Sequence, residues 1–508
     1  MNLTLSLGIN GGGGGGTATK KRKVRDSVIV VDDGVGDGGD SSRVVTRLLQ
    51  ARERMVARLD GVDDLWVAPA PDDVGGAAGR GLRLMHLLLS AVAAGESGDA
   101  QAAAAALHEV YRRASFRGAD PAQRVAAYFA DALATRLVRR PPASAAAAPP
   151  STCTERFLAY TMFYQASPLY QFAHFSANQA IVEAFESGGR RRLHVVDFDV
   201  SHGFQWPSLI QSLSESAAAS TSGSSHDSDE PVSLRITGFG ASADEVRQTE
   251  ARLARFASGC PNLRFEFEGI VDGRPNSGGG GHHDERIKID DGATVVVNLV
   301  FPAAVQNSRA STRESCRALA RIRSLNPALV FLVEKDGGGG GGGGGNVATS
   351  RGRSSSGLLP QLTASLRYFA ALFDSLHECL PADSAERLAI ERNHLGTEIS
   401  TAVAACLDSN RGGGDHVAEP CGGSGGAAWS WKEMMESAGF EAVRLSSRTV
   451  SQAKLLLKMK SGGGGGGFRV VEGGGGRALS LGWRDSTLMI TATGWRRRRR
   501  SSNQTSFG

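Results

Sequence analysis

Residues 193–213, LHVVDFDVSHGFQWPSLIQSL, constrain the fold more than any other stretch of this chain. An apolar run ends in Asp197 and Asp199, passes through a short turn and enters an amphipathic segment. That order is the first strand, turn and helix of a doubly wound α/β sheet, whose ligands bind beyond the carboxyl ends of the strands. A nucleotide there needs glycines in the turn, so that backbone can approach it, and an acid after the second strand for its ribose hydroxyls. The turn here is Asp199-Val200-Ser201-His202-Gly203, with one glycine, and the second strand ends Gly238-Phe239-Gly240, with no acid. The pattern is that of a cofactor enzyme's fold without the cofactor's residues.

Strands and helices alternate after Arg192. Strand candidates are 193–199, 233–238, 263–267, 294–300 and 328–334, with helices between them at 205–214, 243–257 and 309–324. Apolar strand runs separated by helical patterns predict a parallel sheet covered on both faces. Helical patterns follow at 358–380, 384–407 and 429–438; the last places Trp431, Met434, Met435 and Ala438 on one face and stops at Gly439. The tail alternates like a meander, predicting strands at 440–446, 452–459, 468–472, 477–483 and 487–495.

Ahead of the sheet, residues 82–187 read as helices joined by short connections. Leu82, Leu84, Leu87, Leu88 and Val92 mark one apolar face, and Ala104, Leu107, Val110 and Tyr111 a second. A third helix opens with Asp120 and Pro121 as cap and first-turn residue, and carries Val125, Tyr128, Phe129, Leu133 and Leu137. The Pro/Ala segment 141–150 interrupts the series, and helix resumes across 153–187. Residues 1–77, rich in Gly, Asp and Arg, cannot bury enough surface to offset their chain entropy. They are expected to be a disordered arm, with a weak helical pattern around 41–59. Glycine runs at 278–281, 337–345, 462–467 and 473–476 are expected to be flexible surface loops. A phosphate loop needs particular glycines followed by a helix, not a homopolymer.

A chain of 508 residues that is 41% hydrophobic can hold two or three average domains, or one large one. Its net charge of +5 is too small for this length to imply nucleic-acid binding by itself. The cations are clustered, however. Lys20, Lys21, Arg22, Lys23 and Arg25 form one block, and Arg496 to Arg500 another. Cys153, Cys260, Cys316, Cys379, Cys406 and Cys421 form no CxxC pair and have no histidine at zinc-finger spacing, which predicts free thiols in a reducing compartment. The opening MNLTLSLGIN is too short and uncharged for a signal peptide, and no apolar stretch nears the ~20 residues that span a bilayer. A soluble intracellular protein without membrane attachment is expected.

Several segments, in order, carry a family resemblance over residues 80–495. The chain resembles the plant GRAS proteins, the scarecrow-like and DELLA-type transcriptional regulators. Leu193, His194, Val195, Val196 and Asp197 look like the family's VHIID core, and FYQASPLYQFAHFSANQAIVEAF at 163–185 like the segment before it. RYFAALFDSL and ERLAIERNHLGTEI, within 367–399, are similar to the PFYRE region, through Tyr368, Phe369, Glu386, Arg387 and Glu398. WKEMMESAGF and LGWRDSTLMITATGW are similar to the closing SAW region, through Trp431, Trp483 and Trp495. Two positions depart: the family's Arg-Glu pair is Thr397-Glu398, which puts its salt bridge in question, and the final Ser-Ala-Trp is Thr493-Gly494-Trp495. QWPSLIQSL, LRITGFG and ERLAIE resemble the symbiosis-related scarecrow-like branch.

The resemblance implies an α/β fold, with a Rossmann-type methyltransferase-like sheet and an N-terminal helical cap. The cap would cover about 78–190, the α/β core about 191–495, and a basic tail 496–508. It implies a nuclear regulator, with no cofactor or metal, that binds other GRAS proteins as homo- or heterodimers and sequence-specific transcription factors. Promoter DNA would be reached indirectly, since no DNA-reading motif is present. The leucine-rich helices would carry dimerisation. The alternative from another class is an S-adenosylmethionine-dependent methyltransferase acting on a small molecule, and a third is a small-molecule receptor.

Individual residues carry two readings each. Leu84, Leu87 and Leu88 spell LxxLL, which can lay an apolar helix face in a partner's groove; packing against the next helix uses the same leucines. Asp197, Asp199 and His202 form either a polar cluster at the strand end or a cap-and-turn network. His174 and His194, in apolar context, read as core histidines, and Trp206, Trp431, Trp483 and Trp495 as core or interface anchors. Lys20, Lys21, Arg22 and Lys23 form a dense basic peptide of the kind an import receptor's acidic groove takes up. Replacing these four by alanine is expected to disperse a fluorescent fusion out of the nucleus. Unchanged nuclear retention, with the C-terminal arginines also removed, would withdraw the assignment.

Overall fold

The computed structural model describes residues 77–137, 151–221, 231–271, 287–290, 292–301, 312–335, 358–381, 383–411, 431–460, 466–484 and 487–498. The basic block at Lys20–Lys23 and the helical pattern at 41–59 lie outside them, as do the glycine runs at 278–281 and 337–345. Among the described residues five helices precede the sheet: α1 (Ala77–Glu96), α2 (Ala100–Arg113), α3 (Pro121–Leu137), α4 (Cys153–Ala166) and α5 (Pro168–Gly188). Their ends follow from local chemistry. Thr152 and Glu155 form a reciprocal capping box at the start of α4, the Thr152 hydroxyl accepting from the Glu155 amide at 3.1 Å and the Glu155 carboxylate from the Thr152 amide at 2.7 Å. Ser167 caps α5 with Pro168 behind it, and Gly189, at φ 60°, ends it.

The sheet then builds up through β1 (Arg192–Asp197), α6 (Trp206–Thr221), β2 (Val232–Gly240), α7 (Ala243–Ala257), β3 (Leu263–Val271), β4 (Thr294–Val300), α8 (Thr312–Ser324) and β5 (Leu329–Lys335). Helices α9 (Leu358–Cys379), α10 (Ala385–Ile390) and α11 (Gly396–Arg411) come next, with a π-helical turn at Glu391–Leu395 between the last two. The chain closes with α12 (Trp431–Ser437), β6 (Phe440–Val443), α13 (Ser447–Lys460), β7 (Phe468–Gly473), β8 (Ala478–Trp483) and β9 (Thr487–Arg497). Nine strands lie in the order β3-β2-β1-β4-β5-β9-β8-β7, with β6 pairing β9. The first five strands are parallel; β9 runs antiparallel to β5 and carries the antiparallel β8, β7 and β6. This is the order of a Rossmann-like, methyltransferase-like sheet, as the sequence pattern and the resemblance imply.

Strand β4 is buried along its whole length, as a strand covered on both faces must be. Its residues alternate between two cores. Val296 and Val300 join the large core beneath the helices, while Val295, Val297 and Leu299 meet Trp431, Met435, Phe440 and Trp495 on the opposite face.

The structure corrects five expectations. Residues 452–459 are helix, not strand: Thr449, Ala453, Leu456 and Leu457 are buried at helical spacing, and the Gln-Ala-Lys-Leu composition has no β-branched residue. The pattern read as one helix at 384–407 is split by the π turn. Glycines 474–476 form the tight β7–β8 turn at φ 57°, 67° and 83°, values glycine alone adopts without strain. The basic tail does not begin at Arg496, because β9 continues through Arg497. Finally, the cap is not confined to residues before the sheet. Helices α9 and α11 pack on α3, and α10 on α4, so residues 358–411 complete it.

One buried ion cluster ties those two stretches together. Glu391, on the π turn, accepts from Arg124 Nε of α3 at 3.0 Å and from Arg387 Nη1 of α10 at 3.0 Å, and Arg124 and Glu391 are fully buried. Burial raises the Glu391 carboxyl above its usual range, and the two guanidiniums offset only part of that rise. Removing the anion withdraws the carboxylate that two buried guanidiniums share. Glu391→Gln is therefore expected to lower the unfolding free energy by about 3–5 kcal/mol, read from urea denaturation. A loss below about 1 kcal/mol would show that the cluster does not hold the cap.

Candidate functional site

The carboxyl ends of β1, β2, β4 and β5 face the cap, and the crevice a ligand would use lies there. At its floor a closed hydrogen-bond network replaces a ligand's polar groups. Asp197, ending β1, accepts from Asn298 Nδ2 of β4 at 3.1 Å and from the Asp199 amide at 3.3 Å. Asn298 and Gln205 exchange amide hydrogen bonds at 3.1 and 3.2 Å, and Gln205 Nε2 also donates to Asn178 Oδ1 of α5 at 3.1 Å. Asn178 Nδ2 donates in turn to the Gln205 carbonyl at 2.9 Å and to Ser208 Oγ at 2.7 Å. Cap, turn and two strands thus share one set of satisfied amides. Burial raises Asp197 from 3.8 to about 6, against opposing hydrogen bonds from Asn298 and the Asp199 amide. The Trp206 indole N–H is close enough to lower it as well, yet makes no hydrogen bond of ordinary geometry.

The β1 turn bends onto β2. The Val200 amide donates to the Phe239 carbonyl at 2.8 Å, and Ser201, at φ 44°, reverses the chain. Gly238 makes the close approach possible: a Cβ there would lie 2.9 Å from Val200 Cβ. Where a nucleoside-binding sheet places its ribose acid, Phe239 stacks on Phe198 at 5.3 Å. Val200, Phe198 and Phe239 fill the strand ends with side chains of the protein itself.

Above this floor the cap contributes an aromatic layer. Tyr160 stacks on Tyr170 at 5.0 Å and meets His202 at 4.9 Å, Phe204 at 5.2 Å and His394 at 5.5 Å. The Tyr170 hydroxyl lies 2.9 Å from His394 Nε2 and donates to Glu398 Oε1 at 3.1 Å. A hydroxyl has one proton, so His394 Nε2 must carry the proton of the other contact. Lys335, ending β5, donates to Glu398 at 3.0 Å. Burial pushes Glu398 up, but Lys335, His394 and the Tyr170 hydrogen bond outweigh it and hold the carboxyl below its usual range. Burial lowers His394 against the opposing pull of Glu398, and it lowers His202 and His194 to about 4 and His174 to about 3. The arrangement offers one Lys–Glu pair, joined through Glu398 Oε1, with the Tyr170 hydroxyl and His394 beside it, while Glu398 Oε2 is buried without a hydrogen-bond partner. A cavity of about 160 Å³ lies elsewhere, by the start of β5, lined by Glu183, Ser187, Leu329, Arg444 and Ser446 among others.

Of the residues singled out in the sequence, Leu193, His194, Val195, Val196 and Asp197 form β1 and are buried, with His194 Nε2 2.9 Å from Thr237 Oγ1. Asp197, Asp199 and His202 do not form one cluster. His202 turns to the cap aromatics, while Asp197 joins the amides. Leu84 and Leu88 are in the core and Leu87 is half-buried, so the LxxLL leucines are taken up by packing rather than offered to a groove. Tyr368 and Phe369 are buried and Glu386 is exposed. Arg387 belongs to the ion cluster, and Glu398 keeps a salt bridge despite Thr397, with Lys335 as its partner. Trp431 and Trp495 meet in the second core, and Trp483 Nε1 donates to Asp374 at 2.7 Å. Asn178, Gln205, Asn298, Tyr160, Tyr170, His394 and Lys335 were missed. The available signal was a polar residue inside an apolar run, as Asn298 is within TVVVNLV.

Fold and site define a methyltransferase-like α/β scaffold under a helical cap, its donor edge closed by its own side chains. The GRAS domain family model matches residues 84–496. Scarecrow-like protein 23 of Arabidopsis thaliana is 32% identical over 425 residues, 82% of this chain and 90% of that protein. Scarecrow-like protein 28 of the same plant is 32% identical over 357 residues, 68% of this chain and 47% of that protein. Protein SCARECROW 1 of Oryza sativa subsp. japonica is 32% identical over 424 residues, 82% of this chain and 56% of that protein. The chain therefore spans about half the length of two of these three relatives. The crystal structure of SCL7 in Oryza sativa matches with a TM-score of 0.56 at 29% identity, over 81% of this chain and 99% of that one. The chain belongs to the GRAS domain family of plant transcriptional regulators.

The raised Asp197 makes a testable pH signature. The folded state holds this proton between pH 3.8 and about 6, where the unfolded chain has released it, so ionising Asp197 costs stability as pH rises through that window. Asparagine keeps the acceptor oxygen without the charge. Asp197→Asn is expected to be more stable than the parent at pH 7 by up to about 3 kcal/mol, the gain vanishing near pH 4. Thermal melts across pH check it, and a variant less stable at pH 7 than at pH 4, relative to the parent, would contradict it.

Proposed function

We propose that this chain is a nuclear transcriptional regulator that works by binding proteins and catalyses no reaction. The observation that carries the reading is the occupied donor edge. Val200 against Gly238 and Phe198 against Phe239 take the space a nucleoside would need. Its partners are other GRAS proteins and sequence-specific DNA-binding factors, met through the cap and the crevice rim. The scarecrow-like relatives and the GRAS match support the regulatory class. The Lys20–Lys23 block supports nuclear import.

Titration calorimetry of the full chain with S-adenosylmethionine tests the reading. No heat of binding is expected at ligand concentrations well above those that saturate a micromolar site. Micromolar binding, or methyl transfer to any acceptor, would overturn it in favour of an enzyme.

A further inference from the structure

The ion cluster inside the cap leaves donors over. Arg124 is fully buried on α3 and spends its five N–H groups unevenly. Nε donates to Glu391 Oε1 at 3.0 Å, and Nη1 to the Gly118 and Ala119 carbonyls at 2.8 and 3.1 Å. Nη2 is buried and has no hydrogen-bond partner. Nor is Glu391 held by Arg124 alone, since Arg387 Nη1 donates to both of its oxygens at 3.0 Å. Burial lowers the Arg124 guanidinium from its usual value, Glu391 opposes that and Arg387 adds to it, and the net shift stays downward. Arg235 shows the opposite balance: burial lowers it, and Glu268 and Asp290 together raise it past its usual value. Arg124 is thus a buried cation whose partners do not make good its lost hydration.

Two more polar groups beside it are unpartnered. Tyr128 stands one turn further along the same face of α3, its ring held by Phe116 at 4.6 Å and by Phe373 of α9 at 5.7 Å. Its hydroxyl is buried without a hydrogen-bond partner. His377, one turn beyond Phe373 on α9, has its Nδ1 buried without a partner as well. Burial lowers His377, and Arg124 and Arg387 lower it further, so near pH 7 the ring is neutral and Nδ1 can carry its proton. The other carboxylates within electrostatic reach are engaged. Asp120 accepts from the Ala122 amide at the start of α3, and Asp374 and Glu378 hold Arg484. A water would fill the free donors but would leave the charge. An anion does both, and a singly charged one loses far less hydration on burial than a sulfate or phosphate.

We propose that Arg124 Nη2 and the Tyr128 hydroxyl, flanked by His377, bind a small singly charged inorganic anion, chloride in solution, inside the cap. The site lies where α3, from before the sheet, meets α9 and α10, from after it. The anion is then a further tie between the two stretches that build the cap. The site lies apart from the closed crevice, so it does not rest on the protein-binding reading above.

Thermal melts of the full chain test this, with sodium chloride exchanged for sodium gluconate at constant ionic strength. An ion held only by the folded state raises the folded-to-unfolded ratio tenfold for each tenfold rise in concentration above its dissociation constant. Chloride is expected to raise the melting temperature in this way, and gluconate is not. Tyr128→Phe keeps the ring against Phe116 and Phe373 and removes the donor. Losing one hydrogen bond to a charged group is expected to raise the half-saturating chloride concentration about tenfold or more. Equal melting temperatures in the two salts would overturn the proposal. So would a chloride effect of unchanged size and midpoint in Tyr128→Phe, since a general salt effect at the surface does not depend on that hydroxyl. Should Tyr128→Phe fail to fold, crystals of the parent soaked in sodium bromide decide. An anomalous peak beside Arg124 Nη2 supports the site, and no peak there overturns it.

Discussion

The hydrogen-bonded run Asp197–Asn298–Gln205–Asn178 joins β1, β4, the turn before α6 and cap helix α5 in one buried set of partners. Each amide proton of Asn298 and Asn178 has an acceptor, and so do both of Gln205 Nε2. A buried amide left without its partner loses about 1–3 kcal/mol, so a displaced cap would strand several at once. That constraint gives the cap one seat on the sheet. The seat in turn sets Tyr160 and Tyr170 against His202 and His394, and brings Glu398 within reach of Lys335.

A second constraint works from the other side. The cap is assembled from α1–α5 and from α9–α11, which are separated in the chain by the whole parallel half of the sheet. Glu391 holds α3 and α10 together through two arginines, and the π turn that carries it also carries His394 into the aromatic layer. A π turn adds one residue to a helical turn and re-aims the side chains after it. Here it lets two side chains three residues apart serve two different clusters. The result is a top edge closed by the protein's own side chains.

Much of the fold was legible because it rests on local periodicity. The β1 run and its turn, the alternating strands and helices to β5, and the tryptophans of the closing region are patterns of spacing in the chain. The misreadings have physical causes. Residues 452–459 alternate weakly, but their composition favours helix and their buried positions follow a helical face. Arg496 and Arg497 read as a charged tail, yet their backbone is paired with β6. The amide network was not legible, since Asn178, Gln205 and Asn298 lie 27 and 93 residues apart and no local signal says that they meet.

The sequence by itself determined the alternation of elements, the missing glycines and ribose acid of the β1 and β2 ends, and the family resemblance, because each is written in adjacent residues. Only the tertiary structure decided that the cap has two sources, that Leu84 and Leu88 are packed inside, and that Glu398 finds Lys335. Those outcomes depend on which surfaces meet. Strand pairing and helix packing fix that by satisfying buried polar groups and filling volume across hundreds of residues, and no local pattern encodes it.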